Sequence, residues 1–397
     1  MTNILTINEI CDSLEDGNWI ESKDQSKDGI RLIQTGNIKS GYFVDKLNKA
    51  RYISEKTFNK LNCKEVFEGD ILISRLPEPV GRGCILPNLE NRSITAVDCS
   101  IVRVKKNLIN KKYLIYFLQS PQYQFQINKK VTGTTRLRIS RKNLGEINIP
   151  VPSLQEQEEI VERLDKVFEN IDKKSQYKKE KISYTNDFLN SFYSKIFNYT
   201  LSEKSRILEL SEVADIKSGN SAPQGKEPFV NGKYNFYRTY DVGQIRKGEI
   251  SESRDKVNEE TYSKLKTFQI NTILFPKSGA STFNNNRVII KEEGAIASHL
   301  AGIKANTEIL NDYYLYYFLL TVDAKDLIQD SAYPSLNLKQ ISLIEIPLIP
   351  IQEQNEIVKQ LDVLSNNVKR LINQYREQLL LLSKLKKSIL NKEFSYE

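Results

Sequence analysis

The residues of this chain best suited to chemistry lie in short loops that interleave Arg, Thr, Asn, Ser and Tyr between apolar runs. In the first half these are Arg31, Thr35 and Asn37, then Arg75 and Arg82, then Thr134, Thr135, Arg136 and Arg138. In the second half they are Arg238, Thr239 and Tyr240, then Lys277, Ser278, Ser281 and Asn284, then Tyr333, Ser335 and Asn337. Such side chains suit a nucleic acid. Arginine pairs bidentately with guanine and asparagine with adenine, while Lys, Ser and Thr hold phosphates. A plain loop role explains any one of them equally well. Their equivalent placement in the two halves favours the set.

Catalytic signatures are missing. There is no GxxxxGK[ST] or GxGxxG phosphate loop and no GxSxG elbow. The Asn-Pro-Pro-aromatic and Asp-Pro-Pro-aromatic tetrapeptides of amino-methyltransferases are absent as well. Carboxylate-x-Lys triplets such as Asp215-Ile216-Lys217 are expected by chance at this charge density, so a nuclease centre is the weaker reading. The single histidine, His299, excludes a His-rich metal site and is read as a packed or polar-contact side chain rather than a catalytic base. Cys11, Cys63, Cys84 and Cys99 form no CxxC pair, which argues against a zinc site or a disulfide framework. The first 19 residues have acids and no basic run, and the longest apolar run, Tyr313 to Leu320, is too short for a bilayer. These features predict a non-enzymatic chain without its own metal or cofactor, in a reduced cytoplasm and away from membranes.

The chain has 397 residues and a net charge of +8. Residues 1–150 carry +8, residues 151–200 and 201–350 carry −1 each, and residues 351–397 carry +2. Between 101 and 150 there are 11 basic residues against Glu146 alone, a candidate polyanion surface. The second half would need its charge gathered on one face, through Arg238, Arg246, Lys247, Lys277 and Arg287.

The elements that must position these loops are repeated. Ile147 to Asp165 aligns with Ile344 to Asp362 at a constant offset of 197, with 11 of 19 positions identical. Tyr113 to Leu118 matches Tyr314 to Leu319, and Ile7 to Ile10 matches Leu210 to Val213 more weakly. Pro150, Pro152, Pro347 and Pro350 mark where an extended segment hands over to a helix. Each junction opens a helix of some 40 residues. Apolar residues at 3-4 spacing predict a coiled-coil seam through Ile160, Leu164, Val167 and Ile171 in the first copy. In the second it runs through Ile357, Leu361, Leu364, Val368, Leu371 and Leu382. The first copy loses phase from Lys173 to Glu180 and resumes at Ile182. A lone amphipathic helix cannot bury its seam, so the two are expected to pair antiparallel.

The expected fold class is α/β: two mixed α/β domains and two long helices forming an antiparallel coiled coil. The expected divisions are residues 1–150 (first α/β module), 151–200 (central helix), 201–347 (second α/β module) and 348–397 (C-terminal helix).

The duplicated Ile-Pro-x-x-x-x-Gln-Glu-Gln block, the differing modules between and the long helices resemble the specificity (S) subunits of type I restriction-modification systems. The resemblance covers the whole chain. It implies two target recognition domains, each reading one half of a bipartite sequence in double-stranded DNA. It implies helices that set the half-site spacing and dock two methyltransferase (M) subunits, with motor-restriction (R) subunits joining them. S-adenosylmethionine, ATP and Mg²⁺ would then belong to those partners. A stand-alone nuclease with duplicated recognition domains is the alternative.

Overall fold

A computed structural model describes residues 3–203, 205–279, 281–328 and 335–395. The chain divides into two compact units, Met1–Lys178 with Arg376–Glu397, and Lys179–Tyr375. Each unit holds one mixed α/β module and one half of each of two long helices.

Continuous apolar runs become the buried strands, as expected for strands covered on both faces. In the first unit Cys11–Asp16, Cys99–Val104, Ile71–Ser74 and Gly83–Ile85 form an antiparallel sheet in that order. A second sheet runs Arg51–Ile53, Ile30–Ile33, Ser93–Thr95, Glu65–Val66, and its central pair is parallel. A ribbon of Asn3–Thr6 and Asn148–Val151 closes the module beside the first helix.

The second unit repeats this plan. Ala214–Ser218, Leu300–Ala305, Ile273–Pro276 and Arg287–Ile290 follow the same order, and Lys247–Ile250 adds a fifth, parallel edge strand. Asp255–Val257, Tyr234–Tyr237, Gly294–Ile296 and Thr267–Phe268 repeat the second sheet, again with a parallel central pair. Arg206–Glu209 and Glu345–Leu348 repeat the ribbon. The segment that carries the repeated Tyr113 to Leu118 forms two helices, Lys111–Phe117 and Pro121–Lys130. Ser120 caps the second by accepting from the Tyr123 N–H, and Pro121 opens it.

The long helices span Leu154–Glu203 and Ile351–Phe394, about 75 and 66 Å at 1.5 Å per residue. A capping box starts the first: Ser153 N–H donates to the Glu156 carboxylate at 2.9 Å, and Glu156 N–H donates to Ser153 Oγ at 3.3 Å. In the second, Pro350 stands in the place of Ser153, and its carbonyl accepts from Glu353 and Gln354 N–H. Within the first unit the start of one helix meets the end of the other, with Lys386 Nζ 2.6 Å from Asp172 and Arg163 paired with Glu393. Leu164, Phe168 and Ile171 share a core with Leu390 and Phe394. Within the second unit Tyr193 and Phe197 share a core with Val358 and Leu361. Start against end is antiparallel pairing in both.

The seam departs from the expectation in its phase. Leu164, Ile171, Leu361 and Val368 are buried, and Ile160, Val167, Ile357 and Leu382 are partly buried against the cores. Leu371, however, is 37% exposed, and its neighbour Ile372 takes the buried place. Ser365, not Leu364, is the buried residue two turns earlier. Tyr193 opposite is bulky and hydrogen-bonds Ser365, so the helix presents a small polar residue there. In the first copy the phase is not lost between Lys173 and Glu180. Half-buried Ser175 and Lys178 carry the stripe to Ile182, Thr185 and Leu189.

The repeated block is explained at its buried positions. Gln157 Nε2 donates to the carbonyls of Leu108 (3.0 Å) and Pro152 (2.9 Å), and its Oε1 accepts from Asn110 N–H at 2.7 Å. Gln354 repeats this with Ile309, Ile349 and Asn311 at 2.9, 2.8 and 2.8 Å. Tyr113 donates its hydroxyl to Pro150 O, and Tyr314 to Pro347 O. Tyr116 bonds Asp165, and Tyr317 bonds Asp362. Phe394 meets Tyr113 and Phe117 edge-on, and Phe197 meets Tyr314 and Phe318 in the same way.

Candidate nucleic-acid interface

Backbone bonds place the polar loops of each module on a common frame. Arg75 N–H donates to Asp98 O, and Lys277 N–H to His299 O. Ile139 N–H donates to Arg75 O, and Leu336 N–H to Lys277 O. Asn18 bridges Ala96 and Asn220 bridges Ala297, both in parallel. Four segments therefore meet in each module: the turn after the third strand of the first sheet described, the turn before its second strand, the loop before a short capped helix, and the strand end at Asn18 or Asn220.

In the first module this frame gathers arginines around two aspartates. Arg75 Nε lies 3.3 Å from Asp16, Arg141 Nε 3.9 Å from Asp16, and Arg138 Nη2 3.0 Å from Asp98. Arg75 is buried and also donates to the carbonyl of Val97. Burial lowers its pKa, and Asp16 opposes that shift. Thr132 and Arg138 exchange both backbone bonds at 2.9 Å, so the segment between them is a hairpin tip. Thr134, Thr135 and Arg136 stand on that tip, exposed.

In the second module the frame lines an open cleft of about 270 Å³ with Ser221, Ala222, Gln224, Arg238, Thr239, Ala297, Ser298 and His299. Arg238 Nε lies 2.7 Å from Asp255, and its guanidinium lies 5.1 Å from the Phe236 ring. Ser278 Oγ is 2.6 Å from His299 Nδ1. Ser281 Oγ donates to Ser278 O. Tyr240 is exposed beneath the Arg254 guanidinium. Asn284 and Ser335 are exposed, and Ser335 bridges Ser278. Tyr333 lies outside the described residues.

Other expected site residues turn inward. Arg31 is buried and forked onto Asp45, with Nη1 3.0 Å from Oδ2. Asn37 bonds Gln34 N–H and Val44 O. All three nitrogens of the buried Arg82 guanidinium donate to carbonyls, those of Ile38, Leu76, Pro79 and Thr35. Asn337 caps Leu338–Ser342 through Gln340 N–H. The charged face expected of the second module is correspondingly smaller. Arg287 is fully buried, its guanidinium 3.5 Å from the Phe275 ring centre, and burial lowers its pKa to about 9 against the pull of Asp323. Lys247 Nζ donates to Asn190 on the first long helix.

Sequence reasoning missed Asp16, Asp98, Arg141, Ser221 and Gln224; it read His299 as a packed or polar-contact side chain, and the ring is exposed and in polar contact with Ser278. One signal was available. The dipeptides Gly17-Asn18 and Gly219-Asn220 repeat at an offset of 202. A Cβ on either glycine would stand 2.3 Å from a carbonyl oxygen, of Thr95 or of Ala297. Only glycine lets the strand end come that close.

A model of the type I restriction modification DNA specificity domain matches the chain twice, over residues 2–184 and 202–381. The chain belongs to this family. The type I restriction enzyme MjaIX specificity subunit of Methanocaldococcus jannaschii is 26% identical over 361 residues, covering 86% of this chain and 80% of the relative. The putative MjaX specificity subunit of the same organism is 22% identical over 370 residues, covering 87% and 82%. Among solved structures, a chain from a study of complex assembly in a type I restriction-modification system shares the fold with a TM-score of 0.74. It has 18% identity, covering 99% of this chain and 97% of that one. The HsdS subunit of Thermoanaerobacter tengcongensis gives a TM-score of 0.50 at 19% identity, covering 99% and 96%. Among the described residues no helix is long and apolar enough to cross a membrane.

Proposed function

We propose that this specificity-family chain is the non-catalytic DNA-reading subunit of a type I restriction-modification complex, with one module for each half of a bipartite target in double-stranded DNA. The carrying observation is the shared frame: the same strand order presents the same four segments in both modules, yet with different side chains. A common frame with different readers suits two different half-sites. In the first module the readers are Thr134, Thr135, Arg136 and Arg138. In the second they are Thr239, Tyr240, Lys277, Ser281, Asn284 and Ser335, while the Ser278 hydroxyl is engaged by His299. Arg31, Asn37, Arg82 and Asn337 hold the loops in shape, because their polar atoms are engaged by the backbone or by Asp45.

The chain would scaffold two M subunits, with R subunits joining them. S-adenosylmethionine, ATP and Mg²⁺ would serve chemistry on those partners. The test uses the full chain with its M subunits, titrated into duplex DNA at several salt concentrations. The reading expects sequence-selective binding whose affinity falls steeply with salt. Binding indifferent to both sequence and salt would overturn it, as would specific cleavage by the chain and Mg²⁺ alone.

A further inference from the structure

His299 occupies the scaffold position that Asp98 occupies in the first module: each gives its carbonyl to the residue after the third strand, Lys277 or Arg75. The two side chains are in different states. Asp98 is engaged by Arg138 at 3.0 Å. His299 is exposed at the wall of a polar cleft, and among the described residues only its Nδ1 is engaged, by Ser278 Oγ at 2.6 Å. That bond fixes the ring plane and leaves Nε2 as the nitrogen free to meet a ligand. Around it stand Ser221, Gln224, Arg238 and Thr239. Arg238 is already paired with Asp255, so the cleft offers hydrogen bonding more than free positive charge.

We propose that His299 is a specificity-determining residue of the second module. Its Nε2–H donates to a purine N7 or to guanine O6 at one position of the half-site, and Ser278 acts as the positioning residue that donates to Nδ1. A purine N7 is the match because both purines show that acceptor in the major groove, where cytosine shows a donor and thymine shows O4 beside its methyl group. This rests on the DNA-reading function proposed above and goes further by naming the residue and the base class.

The test is selection from a duplex library randomised over both half-sites, using the full chain assembled with its M subunits. His299→Ala should lower discrimination at a single purine position of one half-site by about tenfold or more. The other positions and the whole of the other half-site should keep their preferences. The unchanged half-site serves as the folding control. His299→Gln, which keeps a donor at similar reach, should restore part of the preference. Ser278→Ala should weaken the same position and no other. Uniform weakening at all sequences, with the log–log salt slope reduced by about one, would make His299 a phosphate contact and overturn the inference. An unchanged purine preference in His299→Ala would overturn it too. A wild-type chain that selects no sequence would instead refute the DNA-reading function itself, so the two failures are distinguishable.

Discussion

Gln157 tests most sharply how the junction between module and helix is held. Its amide satisfies two carbonyls and one N–H, at 3.0, 2.9 and 2.7 Å, and the residue is fully buried. A net hydrogen bond contributes about 1 kcal/mol, so Gln157→Ala should cost about 3 kcal/mol. The alanine variant leaves a polar space in which a water can replace part of the network. Gln157→Leu fills that space with carbon and strands all three backbone groups, at about 1–3 kcal/mol each. The leucine variant should therefore be less stable than the alanine variant, although leucine is nearer to glutamine in volume. Urea unfolding of the full chain, followed by circular dichroism, measures both. Gln354→Ala should repeat the cost in the other unit. The double variant should be additive to about 0.5 kcal/mol, because the two glutamines share no partner. A leucine variant as stable as the wild type would show that volume, not hydrogen bonding, keeps the glutamine, and would refute the reasoning.

Arg82→Met removes donors to four carbonyls and should destabilise the first module by about 3–5 kcal/mol, seen as an earlier unfolding transition. Phe394→Ala empties a buried site between Tyr113 and Phe117. It should cost about 3–5 kcal/mol and expose residues 376–394 to limited proteolysis. The Asp165 carboxyl is raised by burial, but hydrogen bonds from Tyr116 and Lys112 outweigh this and leave it below its ordinary 3.8. A depressed acid contributes stability that is present above pH 4 and lost as the pH falls through the folded value. Asp165→Asn should therefore flatten the fall in unfolding midpoint below pH 4. Seven residues inserted in both long helices, after Leu364 and before Phe188, should lengthen the unread gap by about 10 Å or three base pairs, with both half-sites unchanged in a methylation map.

Much of the frame was legible. The Pro-to-helix block announced both junctions. Ile30–Ile33 and Arg287–Ile290 are apolar runs of strand length, and both are strands. The coiled-coil stripe was readable to within one residue. Its phase was not, because Ser365 is polar in sequence and takes a buried place where it bonds Tyr193. The site was less legible for a related reason. An arginine in a loop has the same letter whether it faces solvent, like Arg136, or spends its donors on carbonyls, like Arg82. Arg287 sits at a strand start like a surface charge, yet it is buried against Phe275. His299 gained significance only when Ser278 and the cleft were placed around it. Partners set by long-range packing leave no local mark in composition.

The most direct measurement is a long-read map of modified bases in cells that carry this chain with its M subunits, compared with the same cells carrying Arg136→Ala/Arg138→Ala. The account predicts two specified segments separated by an unspecified gap. The variant should relax one segment and leave the other segment and the gap unchanged. A single contiguous motif, or equal loss at both segments in a variant that unfolds like the wild type, would contradict it.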